Sequence, residues 1–492
     1  MSCKVGLKKI RPRAEMTFNY IRNQIMQYSK DALIDRCYLE IDGNEDKPTP
    51  TWQIFTMLKW TFLYGGNKQP SKPLTEKRFA KIYRATYSLD EEYVRSFIRP
   101  GDFKLYFQIL FSQQFYLQRK VMKETFAVQL KLYTQLSHKF DIGKLFLEKT
   151  GLSIEDMLFF LQTIWVIMNA NKLSGSIYYL GFLENDHIKH LVHFRGEEKV
   201  AKFLKLLMVD PDNAEEKIKN APYSLNKDEL QSFERTFFTI YPLQIYKKSR
   251  IKIVHPAVMA HTMNHYIYDF LKRESNFPEE FGYRLEKYIA LGLTEIKANF
   301  IPEVELKKRL RAHSKLVDFI LEDDKILIEC KAIELSPSTS VIPTVGFLYS
   351  GLKDSVIKAY VKQMLTVAPQ LENATNEEFF GIILTYKEMY WSKFVDLYDV
   401  VKDQINDEHD IKILPPSNVF IIDLLTWDKI VQIVKDGKAS LREILQKAKV
   451  NNSDPITSKL LFNMHLDEYK LKQFHLSYLE PELKVMDGYY KI

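Results

Sequence analysis

The stretch that most constrains the fold of this chain is a pair of apolar runs around a short charged turn. Leu316–Leu321 and Ile326–Ala332 are each long enough for a β-strand, and the four residues between them are all charged. Two strand-length apolar runs around a short polar loop predict a β-hairpin. Because both runs are rich in isoleucine and leucine, we expect this hairpin to lie inside the protein.

Three charged side chains interrupt these apolar strands. Asp318 lies in the first run, and Glu329 and Lys331 share one face of the second because side chains alternate along a strand. Burying an unpaired charge is costly, so three of them here indicate a chemical role. Two carboxylates on neighbouring strands suit Mg²⁺, and an adjacent lysine can position a metal-bound water. The alternative interpretation is a cross-strand salt bridge on an edge strand.

This pattern resembles the PD-(D/E)xK nuclease superfamily, whose members have the restriction-endonuclease-like fold. Its motif is an acidic residue on one strand, a hairpin and then Glu-x-Lys, which Asp318 and the Glu329-Cys330-Lys331 triplet match. Val317 stands where the family usually has proline. The resemblance implies hydrolysis of phosphodiester bonds in DNA with Mg²⁺ or Mn²⁺, by an endonuclease rather than an exonuclease. It also implies a role in bacterial defence against phages or other foreign DNA, by analogy with relatives that carry a helical half.

The resemblance implies two further site residues. The first core helix of the superfamily often supplies a glutamate to the metal site, and Glu286 in the predicted helix Pro278–Leu291 matches it. A surface glutamate paired with a lysine is the alternative. A later helix often carries a glutamine or lysine near the site. Gln363, or its neighbour Lys362, matches that position in the predicted helix Lys353–Leu365.

The sequence around the hairpin predicts the rest of the nuclease-like sheet. Phe379–Tyr386 and Val419–Leu425 are almost entirely apolar, which is typical of strands buried on both faces. Leu335–Ser350 contains two prolines, a glycine and several hydroxyl side chains, so we expect a loop that borders an active-site cleft. Glu303 and Glu305 lie on the segment that enters the hairpin, and we expect both to be peripheral to the site.

The periodicity of the chain predicts two domains in an α+β or α/β protein. Apolar residues recur at helical spacing from residue 14 to about 170, with a less regular region up to 235. Strands are expected at Phe233–Tyr246 and Arg250–Val254. We therefore predict a mainly helical domain over residues 1–235 and a nuclease-like domain over residues 236–492, the latter ending in a helical tail.

The distribution of charge points to a polyanionic partner. The whole chain has a net charge of +7. The first 150 residues carry roughly +11 and the remainder roughly −4, so the helical half suits DNA. The alternative is an ordinary lysine-rich helical surface. The helical half also leaves open a homo-oligomer or a partner protein.

Several classes of protein are excluded or disfavoured by composition and motifs. Three cysteines cannot build a disulfide framework or a cysteine-bound iron–sulfur cluster. The chain has no Walker-type phosphate loop, no dinucleotide-binding glycine motif and no HExxH motif. The N-terminus lacks the apolar core of a signal peptide, and the apolar stretch Met157–Met168 is too short to span a bilayer. We therefore expect a cytoplasmic protein without membrane segments.

Two functional interpretations follow. The first is a metal-dependent nuclease. The second is a non-catalytic scaffold that retains a nuclease fold and binds nucleic acid or a protein through its basic helical half. Three intact charged residues within apolar strands favour the first, because a scaffold has no need to retain Asp318, Glu329 and Lys331.

Overall fold

A computed structural model of the 492-residue chain describes most of its length. The described residues are 17–42, 51–66, 72–97, 103–118, 121–136, 139–173, 181–225, 227, 230–247, 249–313, 315–342, 344–371, 378–391, 393–405, 411–471 and 474–489. The basic N-terminal residues 1–16, which contribute to the predicted charge of the helical half, lie outside them.

The strands form two sheets. In the described residues they are β1 Phe182–Leu183, β2 Met208–Val209, β3 Leu243–Tyr246, β4 Arg250–Ile253, β5 Ile301–Pro302, β6 Phe319–Leu321, β7 Ile326–Lys331, β8 Phe380–Thr385 and β9 Val419–Asp423. The α-helices before β3 are α1 Phe18–Ile25, α2 Lys30–Asp42, α3 Thr51–Tyr64, α4 Glu76–Phe97, α5 Phe103–Gln114, α6 Lys123–Leu130, α7 Ile142–Thr150, α8 Ile154–Leu173, α9 Asn185–Arg195, α10 Glu197–Leu207 and α11 Glu215–Lys219. Those after β4 are α12 Pro256–Leu271, α13 Phe277–Glu295, α14 Glu303–Leu310, α15 Pro337–Val341, α16 Val345–Leu352, α17 Leu365–Val367, α18 Phe394–Val401, α19 Leu424–Lys435, α20 Leu441–Ser453 and α21 Glu480–Gly488.

The chain is a mixed α+β protein with two compact units. The first unit consists of Met1–Val121, Phe160–Asp269 and Ser340–Pro343. The second unit consists of Met122–Phe159, Phe270–Thr339 and Thr344–Ile492. The division therefore does not fall at residue 235 as predicted, because each unit is assembled from separate stretches of chain. Helical periodicity reports local structure and contains no information about which unit a helix joins.

The first unit contains a small sheet as well as helices. Its strand order is β1-β4-β3-β2, with only the β2–β3 pair parallel. The predicted strand Phe233–Tyr246 is wrong in its first part, where Phe237–Thr239 forms a 3₁₀ turn and the strand begins at Leu243. Consecutive Phe237 and Phe238 both pack against Phe62, at ring-centroid distances of 6.2 and 5.6 Å. A strand would direct these two rings to opposite faces.

The second unit contains the predicted hairpin. Its sheet has the order β5-β6-β7-β8-β9, with antiparallel β5–β6 and β6–β7 pairs and parallel β7–β8 and β8–β9 pairs. The turn between β6 and β7 is closed by Lys325, whose φ of 51° is left-handed and whose amide donates to the Glu322 carbonyl at 3.2 Å. Every residue of β8 and β9 is buried, which confirms two strands covered on both faces.

Two further segments differ in how well the sequence predicted them. The predicted helix Pro278–Leu291 is confirmed within α13. The predicted loop Leu335–Ser350 is wrong, because α15 and most of α16 lie within it. Thr344 caps α16 through its hydroxyl, which accepts from the Phe347 amide at 3.3 Å. The hydroxyl residues that suggested a loop thus include a helix cap.

A buried ion pair fixes α13 within the second unit. The guanidinium of Arg284 donates from Nε to Glu280 Oε1 at 2.8 Å, and both side chains are almost wholly buried. Its remaining nitrogens donate to the carbonyls of Leu132, Tyr133 and Phe140 at 3.0, 2.7 and 2.8 Å. A buried charge of this kind is tolerated only when its donors and acceptors are satisfied, so these contacts hold the start of α13 against residues 132–140.

The apolar stretch Met157–Met168 lies within α8, and its first six residues are buried. Across the described part of the chain, no single helix has the length and apolar character needed to cross a membrane. One pair, Ile142–Thr150 with Ile154–Ala170, meets that criterion only when the two helices are joined, and they are bent by 73°.

Candidate active site

The hairpin places the two predicted carboxylates side by side. Because Phe319 pairs with Ile328, the residues one step further, Asp318 and Glu329, face each other across the strands. The Asp318 amide donates to Glu329 Oε2 at 3.2 Å, and the Cys330 amide donates to Asp318 Oδ2 at 2.6 Å. Each carboxylate is therefore oriented by the main chain of the opposite strand.

Both carboxylates are buried. Asp318 is 2% exposed and Glu329 is 0% exposed. Burial and the neighbouring charge of Glu329 raise the pKa of Asp318 to about 8, whereas Lys315 and the Cys330 amide act in the opposite direction. Two buried carboxyl groups that repel each other are a donor set that favours a shared cation.

Lys331 and Gln363 complete a hydrogen-bonded group around Glu329. The ammonium of Lys331 contacts Glu329 Oε1 and donates to Gln363 Oε1 at 3.2 Å. The amide nitrogen of Gln363 donates to Glu329 Oε1 at 2.8 Å and to the Leu316 carbonyl at 2.7 Å. Gln363 thus holds the carboxylate, the ammonium and the main chain that leads into β6 in one arrangement.

The position of Gln363 depends on an irregular helix. The chain continues from α16 through π-helical turns at Lys353–Ile357 and Ala359–Met364, where the sequence predicted an ordinary helix. In these turns Gln363 is buried and the alternative candidate Lys362 is exposed. π-Helical turns are rare and often occur at functional sites because they redirect side chains.

Lys315 is a site residue that sequence reasoning missed. Its Nζ lies 3.7 Å from Asp318 Oδ1 and 3.6 Å from Glu329 Oε1, so one ammonium bridges both carboxylates. Half of the Lys315 side chain is exposed, whereas the carboxylates are not. The one signal in the sequence was a cation directly before the apolar run of the first strand. A pattern of alternating side chains does not predict how the chain approaches that strand.

Glu286 lies close enough for its charge to interact with the carboxylate pair. Burial raises the pKa of Glu286, and the charges of Glu303 and Glu329 add to this effect while Lys315 opposes it. Among the described residues, however, no three His, Cys, Asp or Glu side chains are grouped closely enough to hold a metal ion. The structure therefore brings Asp318 and Glu329 together as a pair, with Glu286 beside them rather than as a third grouped ligand.

Glu303 supports the main chain next to the site. Its Oε1 accepts from the Leu316 amide at 2.8 Å and contacts the Lys307 ammonium at 3.0 Å. Its own amide donates to the Asp318 carbonyl at 2.9 Å. Glu305, by contrast, is exposed on α14. Glu303 therefore has a supporting contact with residues that flank the carboxylates.

A divalent cation suits the donor set of this site. Asp318 and Glu329 offer adjacent oxygens, and their mutual repulsion is relieved by a shared positive charge. Lys331 adds an ammonium group that donates hydrogen bonds and is held in place by Gln363. Comparisons with protein-family models, with curated proteins and with solved structures found no match. A function is therefore inferred from the geometry and chemistry of these side chains.

Proposed function

We propose that this protein is a metal-dependent nuclease that hydrolyses phosphodiester bonds in DNA, acting as an endonuclease. The observation that carries the proposal is the buried pair Asp318 and Glu329, with Lys331 beside it, on adjacent strands of a mixed sheet. Here two carboxylates converge although burial disfavours both charges.

The proposed roles follow from the chemistry of each side chain. Asp318 and Glu329 hold Mg²⁺ or Mn²⁺ through carboxylate oxygens. When bound, such an ion activates water and neutralises charge on the phosphate. Lys331 orients the attacking water through its ammonium, and Gln363 fixes the direction of that ammonium. Glu286 adds negative charge that attracts the cation from beside the pair.

The architecture of the second unit is consistent with this proposal. A hairpin that carries the acidic residues is continued by two parallel strands, β8 and β9. The helix α13 contacts β7 and carries Glu286. We propose that this sheet and its helices form a restriction-endonuclease-like core. A role in defence against phages, and DNA binding by the basic residues before 150, stay predictions.

The test is a nicking assay on supercoiled plasmid DNA with Mg²⁺ or Mn²⁺. The wild-type protein is expected to nick the plasmid, whereas Asp318→Asn removes a charged ligand and is expected to lose at least about 100-fold in rate. Asp323→Asn is the matched control. It makes the same change in the turn of the same hairpin, where the exposed Asp323 accepts only from Asn299 within the described residues, at 3.1 Å.

The outcomes separate the nuclease from the scaffold. Cleavage that is lost in Asp318→Asn and retained in Asp323→Asn supports the proposed site. Equal cleavage by Asp318→Asn and the wild-type protein refutes it. A wild-type protein that binds DNA without cleaving it under any divalent cation corresponds to the non-catalytic scaffold.

A further inference from the structure

A strongly basic stretch leads directly into the candidate active site. Between Leu306 and Leu316 the chain contains five lysine or arginine residues and one histidine, with no acidic residue. Lys308, Arg309, Arg311, His313 and Lys315 are all exposed. These residues belong to the second unit, whereas the sequence predicted a DNA-binding surface in the N-terminal half.

The basic stretch is fixed to the site at both ends. At its start, the Glu303 amide donates to the Asp318 carbonyl at 2.9 Å, which joins the first turn of α14 to the strand of the site. At its end, the Leu316 amide donates to Glu303 Oε1 at 2.8 Å. Leu306 and Leu316 are also buried, at 0% and 1% exposure. Both ends of the basic stretch are thus held next to the carboxylate site, and Lys315 at its end contacts Asp318 and Glu329.

Only some of these basic side chains form ion pairs with acidic residues of the described chain. Lys307 pairs with Glu303 at 3.0 Å and Arg309 pairs with Glu322 at 2.6 Å. Lys308, Arg311 and His313 make no ion pair with any residue that the structure describes.

An ordinary structural explanation accounts for only part of the stretch. Basic residues near the end of a helix are favoured by the helix dipole, which explains Lys307, Lys308 and Arg309 in the last turn of α14. Arg311 follows the helix in a left-handed conformation with φ of 50°, and His313 and Lys315 come after it. The dipole falls off within the last turn, so it does not explain these later cations.

We propose that Lys308, Arg311 and His313, followed by Lys315 at the carboxylates, bind the phosphate backbone of the DNA substrate and lead it to the cleavage site. This inference rests on the proposed nuclease function and adds to it the residues that bind substrate. Backbone contacts from lysine and arginine supply affinity and position without reading sequence. Lys315 joins the two surfaces, because its ammonium already lies between Asp318 and Glu329.

The test uses the double variant Lys308→Gln/Arg311→Asn in the full-length protein. Asparagine is chosen at position 311 because it tolerates the left-handed backbone conformation. The matched control is Lys484→Gln/Lys470→Asn, which makes the same change in net charge in the same unit. Lys470 is also exposed and left-handed, with φ of 44°, and Lys484 is an exposed residue of α21.

Binding is measured by fluorescence anisotropy with a duplex oligonucleotide of arbitrary sequence, in Ca²⁺ and over a series of salt concentrations. The double variant is expected to bind about tenfold more weakly at moderate salt. The slope of log affinity against log salt is expected to be smaller by about 1.8, since two phosphate contacts are lost. The control variant is expected to keep the wild-type affinity and slope.

Plasmid cleavage with Mg²⁺ by the same proteins distinguishes the two proposals. If the wild-type protein cleaves DNA but the double variant binds with wild-type affinity and salt slope, the inference is overturned and the nuclease stands. A loss of affinity for DNA that is as large in the control as in the double variant also overturns the inference. Binding would then depend on the net charge of the unit and not on these positions. If the wild-type protein neither binds nor cleaves DNA, both proposals fail.

Discussion

Lys315 is expected to compete with the divalent cation for the carboxylate pair. Its ammonium lies 3.7 Å from Asp318 and 3.6 Å from Glu329, the two groups proposed to hold the metal. A divalent cation has to displace this ammonium before both carboxylates can act as ligands. Lys315→Met removes the charge and keeps an unbranched side chain, so the variant is expected to bind divalent cations more tightly.

The size of the effect follows from distance and exposure. Two unit charges about 4 Å apart interact by about 4 kcal/mol at an effective dielectric constant near 20. Half of the Lys315 side chain is exposed. Ion pairs at exposed positions contribute only about 0.2–1 kcal/mol each. Two such pairs amount to about 1 kcal/mol, so we expect Kd for Mn²⁺ to fall about fivefold in the variant.

Isothermal titration calorimetry with Mn²⁺ measures this change without any need for catalysis. Lys308→Met is the control for metal binding, because Lys308 is exposed on the preceding helix and makes no ion pair with the described residues. Its Kd is expected to match that of the wild-type protein. If Lys315→Met binds Mn²⁺ with equal or lower affinity than the wild-type protein, the competition argument is refuted. If Lys308→Met gains as much affinity for Mn²⁺ as Lys315→Met, the gain reflects the lower net charge and not the position of Lys315.

Three further predictions concern stability, positioning and pH. Arg284→Met is expected to lower the free energy of unfolding by about 3–5 kcal/mol, measured by urea denaturation, because buried Glu280 loses its charged partner. Gln363→Leu is expected to reduce cleavage or metal affinity about 10–100-fold, since Glu329 loses the amide that orients it. Mn²⁺ affinity is expected to rise as pH approaches 8, because the pKa of Asp318 is raised to about 8 and the metal requires the carboxylate. Without metal, stability is expected to fall as pH rises from about 4 to about 8, because only the folded state keeps the Asp318 proton in this window.

Each of these predictions has a control. Arg309→Met removes an exposed ion pair and should lower the free energy of unfolding by less than about 1 kcal/mol. If Arg284→Met lowers the free energy of unfolding by no more than Arg309→Met does, burial of the Arg284–Glu280 pair does not have the expected effect. Gln370→Leu changes an exposed glutamine of the same segment and should leave cleavage unchanged. Asp318→Asn should remove this site's contribution to the pH dependence of stability. A wild-type pH profile in that variant would assign the titration to another group.

Local patterns in the sequence predicted the centre of the second unit. The hairpin, the strands β8 and β9 and the helix α13 lie close to where apolar runs and helical spacing placed them. The predictions failed where packing decides the conformation. Residues 335–350 became helical although prolines and hydroxyl groups favoured a loop. Part of the predicted strand Phe233–Tyr246 became a turn because consecutive phenylalanine rings pack on the same side.

Strand periodicity is enough to identify Asp318, Glu329 and Lys331 as the charges that lie in the apolar strands. The two-residue period of a strand fixes that Glu329 and Lys331 share a face, and the hairpin register sets Asp318 opposite Glu329. These relations extend over only a few residues, so the chain's local geometry is sufficient to define them.

Packing between distant parts of the chain determines which other side chains join that pair. Gln363 is 34 residues from Glu329 in the chain, yet its amide lies 2.8 Å from the carboxylate because π-helical turns direct it inward. Lys315 reaches both carboxylates because Glu303 holds the adjacent Leu316 amide. Contacts of this kind depend on how whole elements pack, and no periodic pattern along the chain records that packing.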